Sequence, residues 1–167
     1  MNVINQNRSF LAVGVALLSL YATGMTTRSA SALEFSHDFA EASAAAQRSN
    51  KPLIVIFSAS WCPPCQKMKK SVYPSRQVQP YHDSFVWAYL DADQSKNKPL
   101  MQKYGVSGIP HISFISPAGG LVGHFSGAVS PQQFTKILDQ VKVDIVKAGG
   151  RPANVPPSQR KGSGSKR

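Results

Sequence analysis

Leu53-Ile54-Val55-Ile56-Phe57-Ser58-Ala59-Ser60-Trp61-Cys62-Pro63-Pro64-Cys65 is the stretch from which the rest of the chain can be read. Its first five residues are an unbroken apolar run of β-type side chains, the pattern of a strand buried on both faces. It ends in a Cys-x-x-Cys pair, and Cys62 and Cys65 are the only 2 cysteines in the chain. That spacing lets the two sulfurs meet across one helical turn. A disulfide that closes so short a loop adds little to global stability, which points to thiol–disulfide exchange. Cys62 follows the strand after a short connection and opens a helix, where free N–H groups and the helix dipole favour an anion. It is expected to be the attacking thiolate, with Cys65 one turn further in as the shielded resolving thiol. Pro63 suits the first helical turn. Pro63 and Pro64 both lack an N–H, so fewer donors reach the Cys62 sulfur than in a pair with a histidine between the cysteines. The expectation is a less stabilised thiolate and a more reducing couple.

Two other uses of the pair compete with exchange. Tetrahedral zinc needs four ligands. His37, His82, His111 and His124 would have to complete the set, and none has a paired spacing, so no metal is assigned. A static disulfide is the second alternative. Lys67, Lys69 and Lys70 follow in the same helix and either tune the pair electrostatically or form a solvated face.

Outward from this stretch, Ser36 is placed as the cap of an alanine-rich helix over residues 39–48, ended by Asn50-Lys51-Pro52. A helix runs from Pro63 to Val72, and Pro74 stops or kinks it. A short helical piece falls near Ser75–Tyr81. Phe85–Leu90 reads as a second buried strand, closed by Asp91-Ala92-Asp93, and a helix near Lys98–Tyr104 ends at Gly105. His111–Ile115 is a third strand, Pro117–Gly120 a hairpin turn and Leu121–Phe125 a fourth strand. A last helix starts at Pro131 and reaches about Ala148, with Gly149-Gly150 as terminator. Ile137, Leu138, Val141, Ile145 and Val146 form its core-facing stripe. A βαβ unit followed by a ββα unit gives an α/β fold with a central mixed sheet of about four strands and helices on both faces.

Gly108-Ile109-Pro110 precedes the third strand and suggests a turn, with a cis bond as the minority state of any X–Pro bond. Trp61-Cys62-x-x-Cys65 at a strand–helix junction, this later Gly-Ile-Pro and the element order together resemble the thioredoxin superfamily over about residues 36–148. Among its members the chain is similar to exported forms, such as the C-terminal domain of the thiol:disulfide interchange protein and the reductases of cytochrome c maturation. The resemblance implies the thioredoxin fold, Cys62 as nucleophile and Cys65 as resolving cysteine. It also implies that Pro110 is a cis-proline facing the pair and that Ile109 offers its backbone to an extended substrate strand. Trp61 would flank that docking surface. One departure stands out: where thioredoxins place a buried Asp beneath the pair, this chain has Ile56. His111 is a candidate substitute because imidazole titrates near neutrality, although strand alternation points it to the opposite face from Pro110.

Arg8, the apolar run from Phe10 to Met25 and Ala30-Ser31-Ala32 describe a secretory signal peptide over 1–32, with an uncleaved membrane anchor as the alternative. The formal charge of the chain is +11. Much of it lies in 151–167, a Pro-, Gly- and Ser-rich basic tail expected to stay disordered. The domain between, 33–150, is only mildly basic. No basic–aromatic interleaving suggests nucleic acid. The expected protein is a periplasmic or secreted, monomeric thiol:disulfide oxidoreductase with no cofactor. It would reduce protein disulfides and draw electrons from an upstream thiol donor, soluble or membrane-bound. The alternatives are a thiol oxidase or isomerase, or a non-catalytic binding module of the same fold.

Overall fold

The structure is a computed structural model that describes residues 33–147. The signal-peptide, basic-tail and Gly149-Gly150 expectations lie outside the described residues. The elements run α1 (Phe39–Ser49), β1 (Leu53–Ser58), α2 (Pro63–Lys67) continued by a π-helical turn over Met68–Val72, a 3-10 turn (Gln79–Ser84) and β2 (Val86–Asp91). After a second 3-10 turn (Ser95–Asn97) come α3 (Lys98–Lys103), β3 (His111–Ile115), β4 (Leu121–Ser126) and α4 (Pro131–Lys147). The sheet order is β2-β1-β3-β4. β1 pairs in parallel with β2 and antiparallel with β3, and β3 pairs antiparallel with β4. This is the mixed sheet expected from the element order.

β1 is central and every one of its residues is buried, which is why it reads as continuously apolar rather than alternating. Alternation appears instead in what its two faces meet. Ile54 and Ile56 share one face with Trp87, Tyr89, Ile112 and Phe114, against Met68 and Val72 of the π turn and Phe134, Leu138 and Val141 of α4. Leu53, Val55 and Phe57 face the other way, with Ala88, Leu90 and Ile115, against Ala42 and Ala46 of α1 and Tyr104. The first face is packed with rings: Tyr73 meets Phe134 edge-on at 5.6 Å and Trp87 at 6.0 Å. The second uses alanines, whose small side chains let α1 approach the sheet closely.

Several boundaries differ from the sequence reading. α1 is capped by Asp38, whose carboxylate accepts from the N–H groups of Ala40 and Glu41; those two bonds hold the Asp38 carboxyl below its ordinary value. Ser36 does not cap, because its backbone is engaged elsewhere. Its N–H donates to the Trp87 carbonyl at 2.9 Å and its carbonyl accepts from the Tyr89 N–H at 2.9 Å, a single parallel bridge on the outer edge of β2. The helix after Cys65 widens into a π turn, closed by the Tyr73 N–H to Met68 carbonyl bond at 3.0 Å, just before the break at Pro74. The helical piece placed at Ser75–Tyr81 lies at Gln79–Ser84. There the Tyr81 hydroxyl donates to Asp139 Oδ1 of α4 at 2.6 Å, which pushes the phenol up to about 12. In α4, Phe134, Leu138 and Val141 carry the stripe and Ile137 and Ile145 flank it, while Val146 is 79% exposed. One residue past Ile145 is a rotation of about 100°, which carries Val146 off the core face. The β3–β4 hairpin turns at Gly119, whose φ of +86° a side chain would resist.

Candidate active site

β1 delivers the cysteines to the end of the sheet where it runs out. Beyond Ser58, the Ala59 carbonyl accepts from the Cys62 N–H at 3.3 Å and from the Gln66 side-chain amide at 2.9 Å. These bonds fold the connection back so that Cys62 becomes the N-cap of α2, with extended φ and ψ of −91° and 103°. Pro63 and Pro64 fill the first two helical positions, where no intrahelical donor is needed. The first N–H free to reach the cap is that of Cys65, and it donates to Cys62 Sγ at 3.3 Å. The sulfur therefore receives one backbone donor, in keeping with the argument from the two prolines.

Cys62 and Cys65 are joined in a disulfide, with Cα atoms 5.3 Å apart. Exposure barely separates them, at 3% and 1%. What distinguishes Cys62 is its place at the helix cap and its neighbour across the fold. The Ile109–Pro110 bond is cis. Cys62 Sγ lies 3.9 Å from the Ile109 carbonyl oxygen, and the Ile109 side chain packs on both cysteines together with Ala59. The Pro110 carbonyl accepts from the Gly127 N–H at 2.8 Å, which ties this loop to the end of β4. The fold thus brings together Cys62, Cys65 and Ile109, with the cis-proline Pro110 next in the chain. Trp61 stands beside them, 67% exposed, with its indole N–H donating to Asp93 Oδ2 at 2.7 Å. Pro63 and Pro64 are exposed on the same rim.

The four histidines are engaged away from the cysteines. His37 Nδ1 lies 2.8 Å from the Tyr89 carbonyl and His82 Nε2 lies 2.9 Å from that of Tyr73. His111 does not replace the missing carboxylate. It projects from the Phe57 face of the sheet, 1% exposed, with Nδ1 2.8 Å from the Ser126 hydroxyl and Nε2 3.1 Å from that of Ser113. Burial, then the stacked ring of His124 at 5.2 Å, hold its imidazole below the ordinary value. Among the described residues, no three His, Cys, Asp or Glu side chains converge on a point that would hold a metal ion. Ile56 is fully buried in the apolar core.

Asp93, Ser58 and Tyr89 carried no signal in the sequence beyond closing or filling strands. Ser58 ends β1, Tyr89 lies two residues before the end of the adjacent parallel strand β2, and their hydroxyls are in close contact. Lys69 Nζ lies 4.5 Å from the centre of the Tyr89 ring. That placement gives one of the three helix lysines a packed partner, where the sequence offered either a tuning field or a solvated face.

A family model described as "Thioredoxin-like domain" matches residues 39–142. The chain is similar to the chloroplastic thioredoxin-like protein HCF164 of Oryza sativa subsp. japonica, 33% identical over 102 residues, which cover 61% of this chain and 36% of that protein. It is similar to a thiol:disulfide interchange protein TxlA homolog of Synechocystis, 28% identical over 136 residues, 81% of this chain and 72% of that protein. The solution structure of a thioredoxin from Thermus thermophilus superposes with a TM-score of 0.63 at 31% identity, covering 72% of this chain and 95% of that one. The chain spans about a third of the length of the HCF164 proteins of rice and Arabidopsis thaliana that it matches.

Proposed function

The chain belongs to the thioredoxin-like domain family, and we propose that it is an exported thiol:disulfide oxidoreductase that reduces disulfides in proteins. The observation that carries this reading is the cap geometry. Cys62 Sγ accepts the Cys65 N–H at a helix start and lies beside the Ile109 carbonyl next to a cis-proline. In the reduced protein, the Cys62 thiolate attacks one sulfur of a substrate disulfide. A Cys62–substrate S–S bond forms, the substrate's own S–S bond breaks, and its other sulfur leaves as a thiolate. Cys65 then gives up its proton and attacks Cys62 Sγ, which releases the second substrate thiol. The protein is left with the Cys62–Cys65 disulfide seen here. Two electrons have passed to the substrate, so a donor dithiol must restore the pair. Ile109 offers its backbone to an extended substrate segment, and Trp61 and Pro110 flank it.

The reducing direction rests on Pro63 and Pro64, which leave one N–H to stabilise the Cys62 thiolate and so favour a reducing couple. Export rests on Arg8, the apolar run 10–25 and the small residues before Leu33. In this reading residues 33–150 are the working domain and 151–167 a solvated basic extension. Reduction of insulin disulfides by the full chain with dithiothreitol as donor tests the activity. Turnover that vanishes in Cys62→Ser supports it, and turnover equal in the two overturns it. Equilibration with glutathione tests the direction, and a strongly oxidising value would overturn a reductase role. N-terminal sequencing of the protein recovered from its host tests export, with Leu33 as the expected first residue.

A further inference from the structure

The resolving step raises a question of proton traffic. Cys65 must lose a proton before it can attack, yet it is 1% exposed and packs with Ala59 and Ile109, both apolar. The strand beneath offers only Ile56, buried among carbon. Next to Ala59, however, β1 ends in Ser58, which is itself 1% exposed and whose hydroxyl meets that of Tyr89. Tyr89 is the cross-strand partner of Ile56 and projects on the same face. The two hydroxyls therefore stand at the head of the sheet, under the loop that carries the cysteines.

They also open onto water. Ser58, Tyr89 and Lys69 line a cavity of about 310 Å³, together with Ala59, which packs with Cys65, and Gln66, which follows Cys65 in the chain and bonds the Ala59 carbonyl. The space has room for several waters, and its polar lining suits them. Lys69 lies across the Tyr89 ring at the wall of this cavity.

We propose that the Ser58–Tyr89 hydroxyl pair and this cavity are the proton exit of Cys65, with Lys69 as the positioning residue that fixes the Tyr89 ring. This rests on the dithiol chemistry proposed above. The Cys65 S–H proton passes to the Ser58 hydroxyl, Ser58 passes its own to the Tyr89 oxygen, and the Tyr89 O–H passes its proton to cavity water. The Cys65 sulfur forms its bond to Cys62, and the Cys62–substrate bond breaks with the electron pair leaving on the substrate sulfur. Each hydroxyl ends with the proton count it began with, and one proton reaches solvent. The charged or titratable groups facing Tyr89 are Lys69 from the π turn, His37 from the segment before α1, Asp91 at the end of β2 and Tyr73 across the core.

The test uses the full reduced chain and dithiobis-nitrobenzoate as a small disulfide. Cys62 attack releases one nitrothiobenzoate, and Cys65 ring closure releases a second. This readout runs whether or not the protein is a physiological reductase, so failure of the insulin assay and failure of this proposal are separable. In Tyr89→Phe the ratio of the second rate to the first should fall roughly a hundredfold, at the low end for loss of a positioned proton acceptor. Its pH dependence should move toward alkali. Lys69→Met, at an exposed position that does not threaten folding, should lower the same ratio less and leave thermal unfolding near wild type. An unchanged ratio and pH profile in Lys69→Met and in a folded Tyr89→Phe would overturn the proposal. If Tyr89→Phe does not fold, Ser58→Ala takes its place under the same criterion.

Discussion

On one side of Cys62 the molecule presents carbon: the exposed Trp61 indole and the half-buried Ile109 side chain, with buried Pro110 next in the chain. On the other, behind Ala59, it presents hydroxyls, an ammonium and a carboxylate around a small cavity. Both neighbourhoods touch the same disulfide ring, closed by Cys62 and Cys65, and their difference suits two separate tasks. An apolar rim gains from desolvation when an extended polypeptide lies over it. A polar cavity that excludes polypeptide but admits water can take a proton without letting the mixed disulfide meet solvent thiols.

The comparison can be broken from the apolar side first. Ile109→Asp places a carboxylate beside Cys62, where it repels the thiolate and spoils the docking surface. kcat/KM for insulin reduction should fall about a hundredfold, in the range of a lost binding hot spot. The reaction with a small disulfide, which needs no docking surface, should fall less. Trp61→Ala removes a large exposed contact and should raise KM for protein substrates by about fivefold to tenfold with kcat little changed. Asp93→Ala only frees the indole from its 2.7 Å bond and should have the smaller effect of the two.

The polar side is sharpened by comparing Tyr89 at the cavity with Tyr73 in the apolar core. Tyr73 is fully buried and its hydroxyl has no hydrogen-bond partner among the described residues; burial pushes its phenol well above the usual range. Tyr89 is almost as buried, and its hydroxyl is paired with Ser58. Tyr73→Phe should therefore raise stability by about 1 kcal/mol, since it deletes an unpaid desolvation, while Tyr89→Phe should lower it by a similar amount because Ser58 is left alone. Urea unfolding of both variants checks the sign. The smallest effect concerns His111, on the far face. Its folded pKa lies below the unfolded value of about 6.5. The unfolded chain then binds the extra proton, so stability is full above that value and is lost as pH falls below it. His111→Gln should flatten this acid-side slope in thermal unfolding and leave exchange rates untouched.

The sequence carries the parts of this molecule that are local. The continuous apolar run of β1, the Cys62 cap with prolines behind it and the Pro131 start of α4 all follow from residue type and spacing, and the structure reproduces them. The cis state of Pro110 was a minority state by residue type and was implied by family resemblance. What the sequence hid are the contacts between distant residues. Nothing in Ser58 or Asp93 signals Tyr89 or Trp61 as a partner, because pairing at the ends of parallel strands depends on register, which a crossover sets. Ser36 does not cap α1 for the same reason: its backbone answers to β2, far along the chain, while Asp38 satisfies the helix start.

The Ser36 bridge has a practical side. β2 is the outermost strand of the sheet in that direction, and within its outer edge Ser36 takes the Trp87 carbonyl and the Tyr89 N–H. Unpaired edge groups beside rings as large as Trp87 and Phe35 invite a second copy to add its own strand. The few residues ahead of α1 therefore act as a guard against self-adhesion. A shortened chain beginning at Asp38 would keep the dithiol but lose Phe35 from the core and His37 from the cavity wall, and its bared β2 edge should make it stickier.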